Sequence, residues 1–290
     1  MNPILYGILV VITTFLMGSS FTIGKIGLAY VSPLLLVGIR FTIAGVLMAL
    51  FLLVIKKPLP RSLHDWSRIF VIGLFQTAGV MGCIFLSLRT ITAGESSILT
   101  FSNPLIVVIL GTIFLGIRYR ALQWIGVFTG FIGVFITLGF HLQLNTGTLF
   151  GLGAAFFWSI ATILIKKWGS RFNIWVLTAY QMLFGGILLL IMGVTLETPK
   201  LIMNTNSISI ILWLAIMASI VQFAVWFYLL SESDPGKTSA FLFLAPFFGT
   251  LTGWLFLNEV VEWTVYLGGL LIFIGIFFVN WTFSKKNKLL

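Results

Sequence analysis

The sequence is dominated by apolar runs of about twenty residues, and short polar segments between them carry most of the charge. A helix needs about 20 mostly apolar residues to cross the hydrocarbon core of a bilayer. Only 8% of the residues are charged, against about 25% in an average soluble chain. The runs are also too long and too evenly apolar for the alternating strands of a membrane β-barrel. The sequence therefore predicts an all-α polytopic membrane protein.

The apolar runs predict ten transmembrane helices. The longest connections between them cover residues 56–66 and 196–207, so none is long enough for a separate soluble domain. The single cysteine excludes a fold held by disulfides. The predicted spans are residues 4–24, 33–55, 67–88, 95–116, 121–140, 148–166, 174–195, 208–230, 237–257 and 263–283.

The positions of lysine and arginine explain the formal net charge of +10. If the amino terminus is cytoplasmic, 13 of the 17 basic residues lie in cytoplasmic segments and three lie in outer loops. Cytoplasmic loops of membrane proteins carry such an excess. We therefore predict that both termini are cytoplasmic and that the protein lies in the cell membrane. The scattered basic clusters do not form the continuous basic surface of a nucleic-acid-binding protein.

The second half of the sequence matches the first half in one nearly gap-free register. At an offset of 141 residues Lys25 falls on Lys166, and at an offset of 142 Pro104 falls on Pro246. Each half contains five predicted spans, an odd number, so the second half enters the membrane from the opposite side. Inverted repeats with a site at their interface are typical of secondary transporters. The predicted repeats are residues 1–141 and 142–290.

Several motifs, taken together and in order, carry a resemblance to a known family. Lysines end the first span of each half, Arg40 and Phe41 precede Ala44 in the second span, and Glu259 closes the ninth. Related motifs at residues 93–97 and 235–239 open the fourth and ninth spans, before Pro104 and Pro246. The chain resembles the drug/metabolite transporter superfamily, specifically its EamA type with ten helices in two repeats. The resemblance covers nearly the whole chain and implies export of small metabolites, often amino acids or related compounds.

The chain departs from the family pattern at the end of the fourth span. The family often has an acidic residue there, but this sequence has Gly116 and Ile117. Any role of that carboxylate can therefore attach only to Glu259. Proton coupling usually needs a carboxylate at membrane depth, and Glu95 and Glu259 lie nearest the predicted bundle. We predict that any proton coupling depends on one of these two residues.

Polar and small residues inside the spans are candidates for a substrate cavity, because polar groups avoid lipid and face the bundle interior. The first and sixth spans each carry a stripe of such residues at helical spacing. Small residues also allow helices to pack closely, so cavity wall and helix packing both remain open. The candidate cavity residues are Thr14, Gly18, Thr22, Arg40, Gln76, Asn103, Trp158, Ser159, Thr162, Gln181 and Gln222.

Arg40 is the only charged residue well inside a predicted span. Its guanidinium group suits recognition of a carboxylate or phosphate. The alternative is a structural bond to helix-end carbonyls or to a glutamate such as Glu95 or Glu259. Pro104 and Pro246 each remove a backbone donor, and their matched positions predict paired kinks, either fixed or acting as hinges.

The sequence offers no support for an enzyme or a channel. His64 and His141 are predicted on opposite sides of the membrane, so they form neither a metal site nor a nucleophile–base pair with the single cysteine. The sequence contains no selectivity-filter motif and no phosphate-binding lysine loop for ATP. We predict a cofactor-free secondary transporter of a small polar metabolite, for which a monomer suffices. The alternative is a membrane-embedded scaffold or sensor without transport activity.

Overall fold

The computed structural model describes residues 2–137, 145–232 and 241–280, and these residues are almost entirely helical. Within them the sole β-pairing is an isolated bridge between Val31 and Leu201. The helices are α1 (Pro3–Gly27), α2 (Pro33–Val54), α3 (Leu63–Ser87), α4 (Ala93–Leu115), α5 (Ala121–Thr137), α6 (Thr146–Trp168), α7 (Ile174–Thr195), α8 (205–232), α9 (Leu244–Leu257) and α10 (Trp263–Asn280).

Seven of the described helices are long and apolar enough to cross a membrane, whereas α5, α9 and α10 are apolar but shorter. The predicted class, an all-α polytopic membrane protein, is confirmed. The count of ten spans and the cytoplasmic position of the termini stay predictions. His141, the motif at 235–239, the start of the ninth predicted span and the last three lysines lie outside the described residues.

Polar residues at the helix starts explain where several helices begin. The side chain of Asn2 accepts a hydrogen bond from the backbone N–H of Ile4 at 2.9 Å, and Pro3 occupies the first turn. Thr92 caps α4 and Asn145 caps α6 in the same way. Such caps satisfy backbone donors that have no partner within the helix. At these three helices a polar residue just before the apolar run therefore fixes the first turn.

In four helix pairs, a helix of the first half packs against a helix of the second half. Each pair maps onto itself or onto another of the four when every helix is replaced by its equivalent in the other half. α1 packs along α9, and α6 packs along α4. α2 packs along α7, and α5 packs along α10. Exchanging the halves converts the first pair into the second and leaves the other two unchanged. The packing therefore has the pseudo-symmetry of repeated halves, while the division at residue 141 stays a prediction.

α3 and α8 each contain one π-helical turn, at Leu74–Gly79 and Ile216–Val221. The two turns are 142 residues apart (216 − 74), which is the register in which the halves match. π turns inside α-helices frequently occur at functional sites. Thr77 and Ser219 are the aligned pair in these turns that shares a hydroxyl group. The pseudo-symmetry thus extends to a local irregularity of the backbone.

A break in helical geometry precedes each of the two matched prolines. α4 is interrupted by a turn at residues 101–102, and Pro104 lies in the first turn of the segment that follows. Pro246 lies in the first turn of α9, directly after the short 3-10 helix Phe241–Phe243. Proline is well tolerated in a first turn because its missing N–H needs no partner there. Hinge motion at these breaks stays a prediction.

We expect Gly133→Val to destabilise the protein, because α5 and α10 cross with their backbones in contact. A Cβ at Gly133 would lie 2.6 Å from the carbonyl oxygen of Gly268, and a Cβ at Gly126 would lie 2.5 Å from that of Gly275. Overpacking of this kind costs about 1–3 kcal/mol. Thermal unfolding of the purified protein in detergent should show a lower midpoint for Gly133→Val than for wild type. Gly7→Val is the control, since a Cβ at Gly7 meets no atom within 4 Å, and equal midpoints for both variants would contradict the packing described.

Candidate functional site

A small cavity lies between the two halves beside Arg40. Its volume is about 40 Å³, which is space for about one water molecule. The wall contains one charged residue, two further polar residues and otherwise apolar or aromatic ones, contributed by both halves. The lining residues are Met17, Ser20, Phe21, Arg40, Met81, Ile84, Phe85, Phe101, Trp158 and Gln222.

Arg40 is 3% exposed and is held by the π turn of α8. Its Nε donates to Oγ of Ser219 at 2.9 Å, and its Nη2 donates to the carbonyl oxygen of Ala218 at 2.7 Å. The guanidinium carbon also lies 4.7 Å from the centre of the Phe41 ring. Its partners are therefore a carbonyl and a hydroxyl of the opposite half, and the glutamate partner considered from the sequence is absent from this set.

Gln181 makes the corresponding contact from the second half to the first. Oγ1 of Thr77, in the π turn of α3, donates to Oε1 of Gln181 at 2.6 Å. Gln181 is the counterpart of Arg40 (181 − 40 = 141), and Thr77 is the counterpart of Ser219 (219 − 77 = 142). In each half, a polar side chain of the second helix thus binds the π-turn hydroxyl of the other half. The halves are linked at the same depth by two matched polar contacts, of which one is charged.

The stripe residues of α1 and α6 contact the helices that carry the two prolines. Oγ of Ser159 donates to the carbonyl oxygen of Asn103 at 3.0 Å. At the matched position, a Cβ on Gly18 would collide with the backbone of α9, 2.7 Å from one amide nitrogen. The hydroxyls of Thr22 and Thr252 share a hydrogen bond of 2.7 Å. These residues connect α1 to α9 and α6 to α4, and a role of theirs in lining a substrate path stays a prediction.

The remaining candidates lie at varied distances from the cavity. Thr14 and Thr162 each donate to a carbonyl of their own helix, at 2.7 and 2.8 Å. Gln76 is half-buried in the π turn of α3. Trp158 and Gln222 line the cavity, and the Trp158 ring packs edge-on against Phe101 with the ring centres 5.2 Å apart.

Sequence reasoning identified three lining residues, Arg40, Trp158 and Gln222, and missed the other seven. Six of the seven are Phe, Met or Ile, which look the same in the sequence whether they face lipid or a cavity. The seventh, Ser20, lies off the polar stripe of α1, and its hydroxyl donates to the carbonyl oxygen of Met17 at 2.6 Å.

An ion pair joins the halves on the side predicted to be outside. Nζ of Lys25 lies 2.6 Å from Oε1 of Glu259 and also donates to the carbonyl oxygen of Ile91 at 2.7 Å. Oε2 of Glu259 accepts from the backbone N–H of Ala93 at 2.9 Å. The carboxylate thus connects the ends of α1 and α9 to the start of α4. The second coupling candidate, Glu95, accepts a longer bond of 3.5 Å from Oγ1 of Thr148.

The first two turns of α4 also pack tightly on α9 on this side. A Cβ at Gly253 would lie 3.6 Å from Cβ of Ala93, and a Cβ at Gly249 would lie 3.0 Å from Cβ of Ser97. We call this contact, together with the Lys25–Glu259 pair, the outer seam. The outer seam brings the helices of the two halves into direct contact.

The side predicted to be cytoplasmic has a cavity between α2 and α8. The equivalent region on the predicted outer side, between α7 and α3, is packed. A cavity of about 480 Å³ lies between α2 and α8, lined by residues that include Met48, Trp175 and Ala224. Their counterparts in the other half are Leu189, Leu34 and Gly82, at offsets of 141 and 142. A Cβ at Gly82 would lie 3.1 Å from Leu189 and 3.4 Å from Leu34, and both leucines are buried. Gly82 is therefore packed against its neighbours, whereas a cavity lies beside its counterpart Ala224, although Met48 itself is buried like Leu189.

The counterpart of the Lys25–Glu259 pair on this side consists of Lys166 and Ile117. Backbone geometry is conserved there, since Gly116 and Asn258 both have positive φ, 62° and 51°. The N–H of Ile117 returns to the carbonyl of Gly111 at 3.1 Å, as that of Glu259 returns to Gly253 at 3.3 Å. The carboxylate is missing, and Lys166 is exposed. Across residues 2–137, 145–232 and 241–280, no ion pair links the halves on this side.

Comparison with known proteins gives a family and several relatives. The EamA-like transporter family matches residues 4–139 and again residues 145–281. Two Bacillus subtilis proteins named as uncharacterized transporters are similar to the chain. YvbV is 30% identical over 276 residues, covering 93% of this chain and 90% of its own length. YoaV is 26% identical over 293 residues, covering 99% of this chain and 100% of its own length.

Further comparisons agree with this family. An Escherichia coli protein named uncharacterized inner membrane transporter YedA is 26% identical over 243 residues, covering 81% of this chain and 78% of its own length. One solved crystal structure covers 93% of this chain and 96% of its own, with a TM-score of 0.67 at 21% identity. That structure shares the fold. The three relatives described here are all named as transporters.

Proposed function

Because the chain belongs to the EamA-like transporter family, we propose that it is a secondary transporter that exports a small polar metabolite, such as an amino acid or a related compound, across the cell membrane. Membership of the family makes it a multi-pass membrane transporter. The substrate class, the direction, the plasma membrane as its location and the mechanism described below are part of the proposal.

The observation that carries the proposal is the unequal packing of equivalent positions. Two inverted halves that can exchange conformations expose a shared site to one side and then to the other. When such a protein faces one side of the membrane, one seam is closed and the equivalent region is open. This asymmetry matches the closed outer seam and the cavity of about 480 Å³ between α2 and α8. We therefore assign the conformation as inward-facing, which suits loading of an export substrate from the cytoplasm.

In the proposed movement, a group of helices formed by α1, α8 and α9 moves away from the equivalent group formed by α6, α3 and α4 on the outer side. α1 contacts both α8 and α9, as the equivalent α6 contacts both α3 and α4. In the outward-facing state the outer seam opens, α8 moves towards α2, and the cavity beside Arg40 becomes accessible from outside. The two matched contacts at the π turns lie at the depth around which the groups would rotate. Secondary transporters commonly place their site at such a midplane interface.

Glu259 is the better of the two coupling candidates, because its carboxylate holds the outer seam together. Protonation of Glu259 would remove the charge that Lys25 binds, and the seam would lose its ion pair. Glu95 makes one long hydrogen bond to Thr148 and no ion pair within the described part of the chain. Any coupling of proton entry to outer opening is thus expected to act through Glu259.

Growth assays followed by vesicle transport test the proposed function. Cells that overexpress the protein should tolerate at least one toxic amino acid or analogue in a panel better than cells that lack it. The radiolabelled form of that compound should then enter proteoliposomes faster than protein-free liposomes. A protein that binds a compound but moves none of the panel across the membrane would be a sensor or scaffold, and the transport proposal would fail.

We expect Ile117→Glu to raise the population of the state in which the inner side is closed, because the new carboxylate supplies the missing partner of Lys166. The backbone at Ile117 matches that at Glu259, so a carboxylate there points into the equivalent region. Free energies that couple two sites in a protein are commonly about 1–3 kcal/mol, and an energy of this size shifts a two-state equilibrium by about fivefold or more.

The readout of this shift is the rate at which a membrane-impermeant maleimide, added from the cytoplasmic side, labels Ala224→Cys in a background with Cys83→Ser. Ala224 is half-buried and lines the cavity between α2 and α8. Labelling should slow about fivefold or more when Ile117→Glu is added. Ile117→Gln is the matched control without charge and should leave the rate near that of the parent. Equal labelling rates for the Glu and Gln variants would contradict the expected inner ion pair.

A further inference from the structure

The positive charge of Arg40 has no anionic partner among the described residues. A guanidinium group has five N–H donors, and two of them bind Ser219 and Ala218. The other three make no hydrogen bond within the described residues. Arg40 also forms no ion pair within that part of the chain, although it is 3% exposed. The group is therefore oriented by neutral partners but not neutralised.

The acidic residues nearest the bundle are engaged elsewhere. Glu259 binds Lys25 at 2.6 Å on the outer seam. Glu197 accepts from the backbone N–H of Leu34 at 3.0 Å and lies 4.0 Å from Arg89. No aspartate or glutamate is among the described residues that line the cavity at Arg40. Because a charge at membrane depth is costly unless it is paired or hydrated, this cavity favours an anion that arrives from outside the protein.

The rest of the cavity wall fits the apolar body of such an anion. Phe101 and Trp158 form an edge-on aromatic pair, and Phe21 lies 6.3 Å from Phe101, measured between ring centres. Met17 and Met81 complete the apolar wall, and methionine side chains adapt readily to different ligand shapes. The present volume of about 40 Å³ is too small for a metabolite, so the ligand must enter as these flexible side chains and the adjoining helices move apart.

We propose that the cavity binds a monocarboxylate with an apolar, preferably aromatic, body and no ammonium group. The carboxylate takes the free N–H groups of Arg40, which suit its fork geometry, and the body lies against the aromatic pair Trp158 and Phe101. An amino acid would place an ammonium group beside this cation in a wall that has no carboxylate to receive it. The inference narrows the substrate of the proposed transporter to a related carboxylate in place of an amino acid, and it rests on the proposed transport function for the physiological role of the site.

A matched series of ligands tests this assignment on the full-length protein in lipid nanodiscs. The probes are 3-phenylpropanoate, its amide 3-phenylpropanamide, the zwitterion phenylalanine and the cation 2-phenylethylamine. Equilibrium dialysis of radiolabelled 3-phenylpropanoate, with the others as competitors, should rank 3-phenylpropanoate as the tightest ligand. Loss of a charge-assisted pair weakens binding by about tenfold or more, so the amide, phenylalanine and the amine should each bind at least about tenfold more weakly.

Variants at Arg40 link the preference to this residue. Arg40→Gln introduces the residue that occupies the matched position 181, and it should weaken 3-phenylpropanoate binding about tenfold or more while leaving binding of the amide unchanged. Arg40→Lys keeps the charge but loses the fork, and it should retain part of the preference for the anion. Arg118→Gln, at an exposed arginine in the α4–α5 connection, should bind as wild type does. Size-exclusion profiles identify any variant that fails to fold.

Each outcome of the series decides the inference. Tighter binding of phenylalanine or of the amine than of 3-phenylpropanoate would overturn it, as would unchanged anion binding in both folded Arg40 variants or no binding to wild type. Uptake of 3-phenylpropanoate into proteoliposomes separates the two proposals. Arg40-dependent binding of 3-phenylpropanoate without its uptake would support the ligand class and refute transport. Uptake of a different solute class, without binding of 3-phenylpropanoate, would support transport and refute the ligand class.

Discussion

Replacing Glu259 by glutamine should reduce export of the transported solute at least tenfold. The substitution keeps the size of the side chain but removes the charge that Lys25 binds at 2.6 Å. Glu259 is 8% exposed in its side chain and also accepts from the N–H of Ala93. Hydrogen bonds to charged groups contribute about 1.5–3 kcal/mol, which corresponds to a roughly 10–150-fold change in the population of the state they stabilise.

The physical reason for the loss is that the closed outer seam is one of the two states that the cycle must visit. With glutamine at position 259, the ammonium group of Lys25 loses its anionic partner and is left with neutral acceptors, such as the carbonyl oxygen of Ile91. The inward-facing state then becomes less populated, and loading from the cytoplasm slows. If protons drive transport, the dependence on the pH gradient should disappear together with the carboxylate.

Export of the compound identified in the growth panel, measured in proteoliposomes, checks this prediction. Glu262→Gln is the matched control, because Glu262 is exposed and lies three residues further along the same connection. The double variant Lys25→Met with Glu259→Leu should transport better than Lys25→Met alone or Glu259→Leu alone, since it leaves no charge unpaired. Wild-type transport by Glu259→Gln would show that the ion pair has no part in the cycle.

The positions of the helices were largely predictable from the sequence. The predicted spans 33–55 and 174–195 nearly coincide with Pro33–Val54 and Ile174–Thr195, because an apolar run between polar caps leaves little choice of boundary. The π turns were not predictable. They depend on the hydrogen-bond register within an apolar helix, and the side chains at Leu74–Gly79 and Ile216–Val221 share no pattern beyond one hydroxyl.

The candidate site was predictable only where charge or symmetry marked a residue. Arg40 stood out because no other charge lies so deep in an apolar run, and the offset of 141 residues paired it with Gln181. Its partners could not be derived, since they depend on how far α8 lies from α2 at that depth. The sequence placed Glu95 and Glu259 on the same side as the outer end of α2, whereas packing brings the π turn at Ser219 within reach.

The outer seam offers the most direct test of alternating access, because it can be locked by a single bond. A Cβ at Gly253 would lie 3.6 Å from Cβ of Ala93, within the range of about 3.5–4.5 Å found in disulfides. We therefore expect Ala93→Cys with Gly253→Cys, in a background with Cys83→Ser, to form a disulfide between α4 and α9 on mild oxidation. Transport should fall to the level of protein-free liposomes.

A Cβ at Gly253 would also lie 2.6 Å from Oε2 of Glu259, so the reduced double variant is expected to transport more slowly than wild type. The oxidised double variant is therefore compared with the same variant in reduced form. Each single-cysteine variant should be insensitive to oxidation, and dithiothreitol should return the double variant to its reduced rate. Loss of transport on oxidation and its recovery on reduction are the results predicted by alternation between an inward-facing and an outward-facing state. Undiminished transport by the fully cross-linked protein would mean that the outer seam does not open, and it would contradict the proposed mechanism.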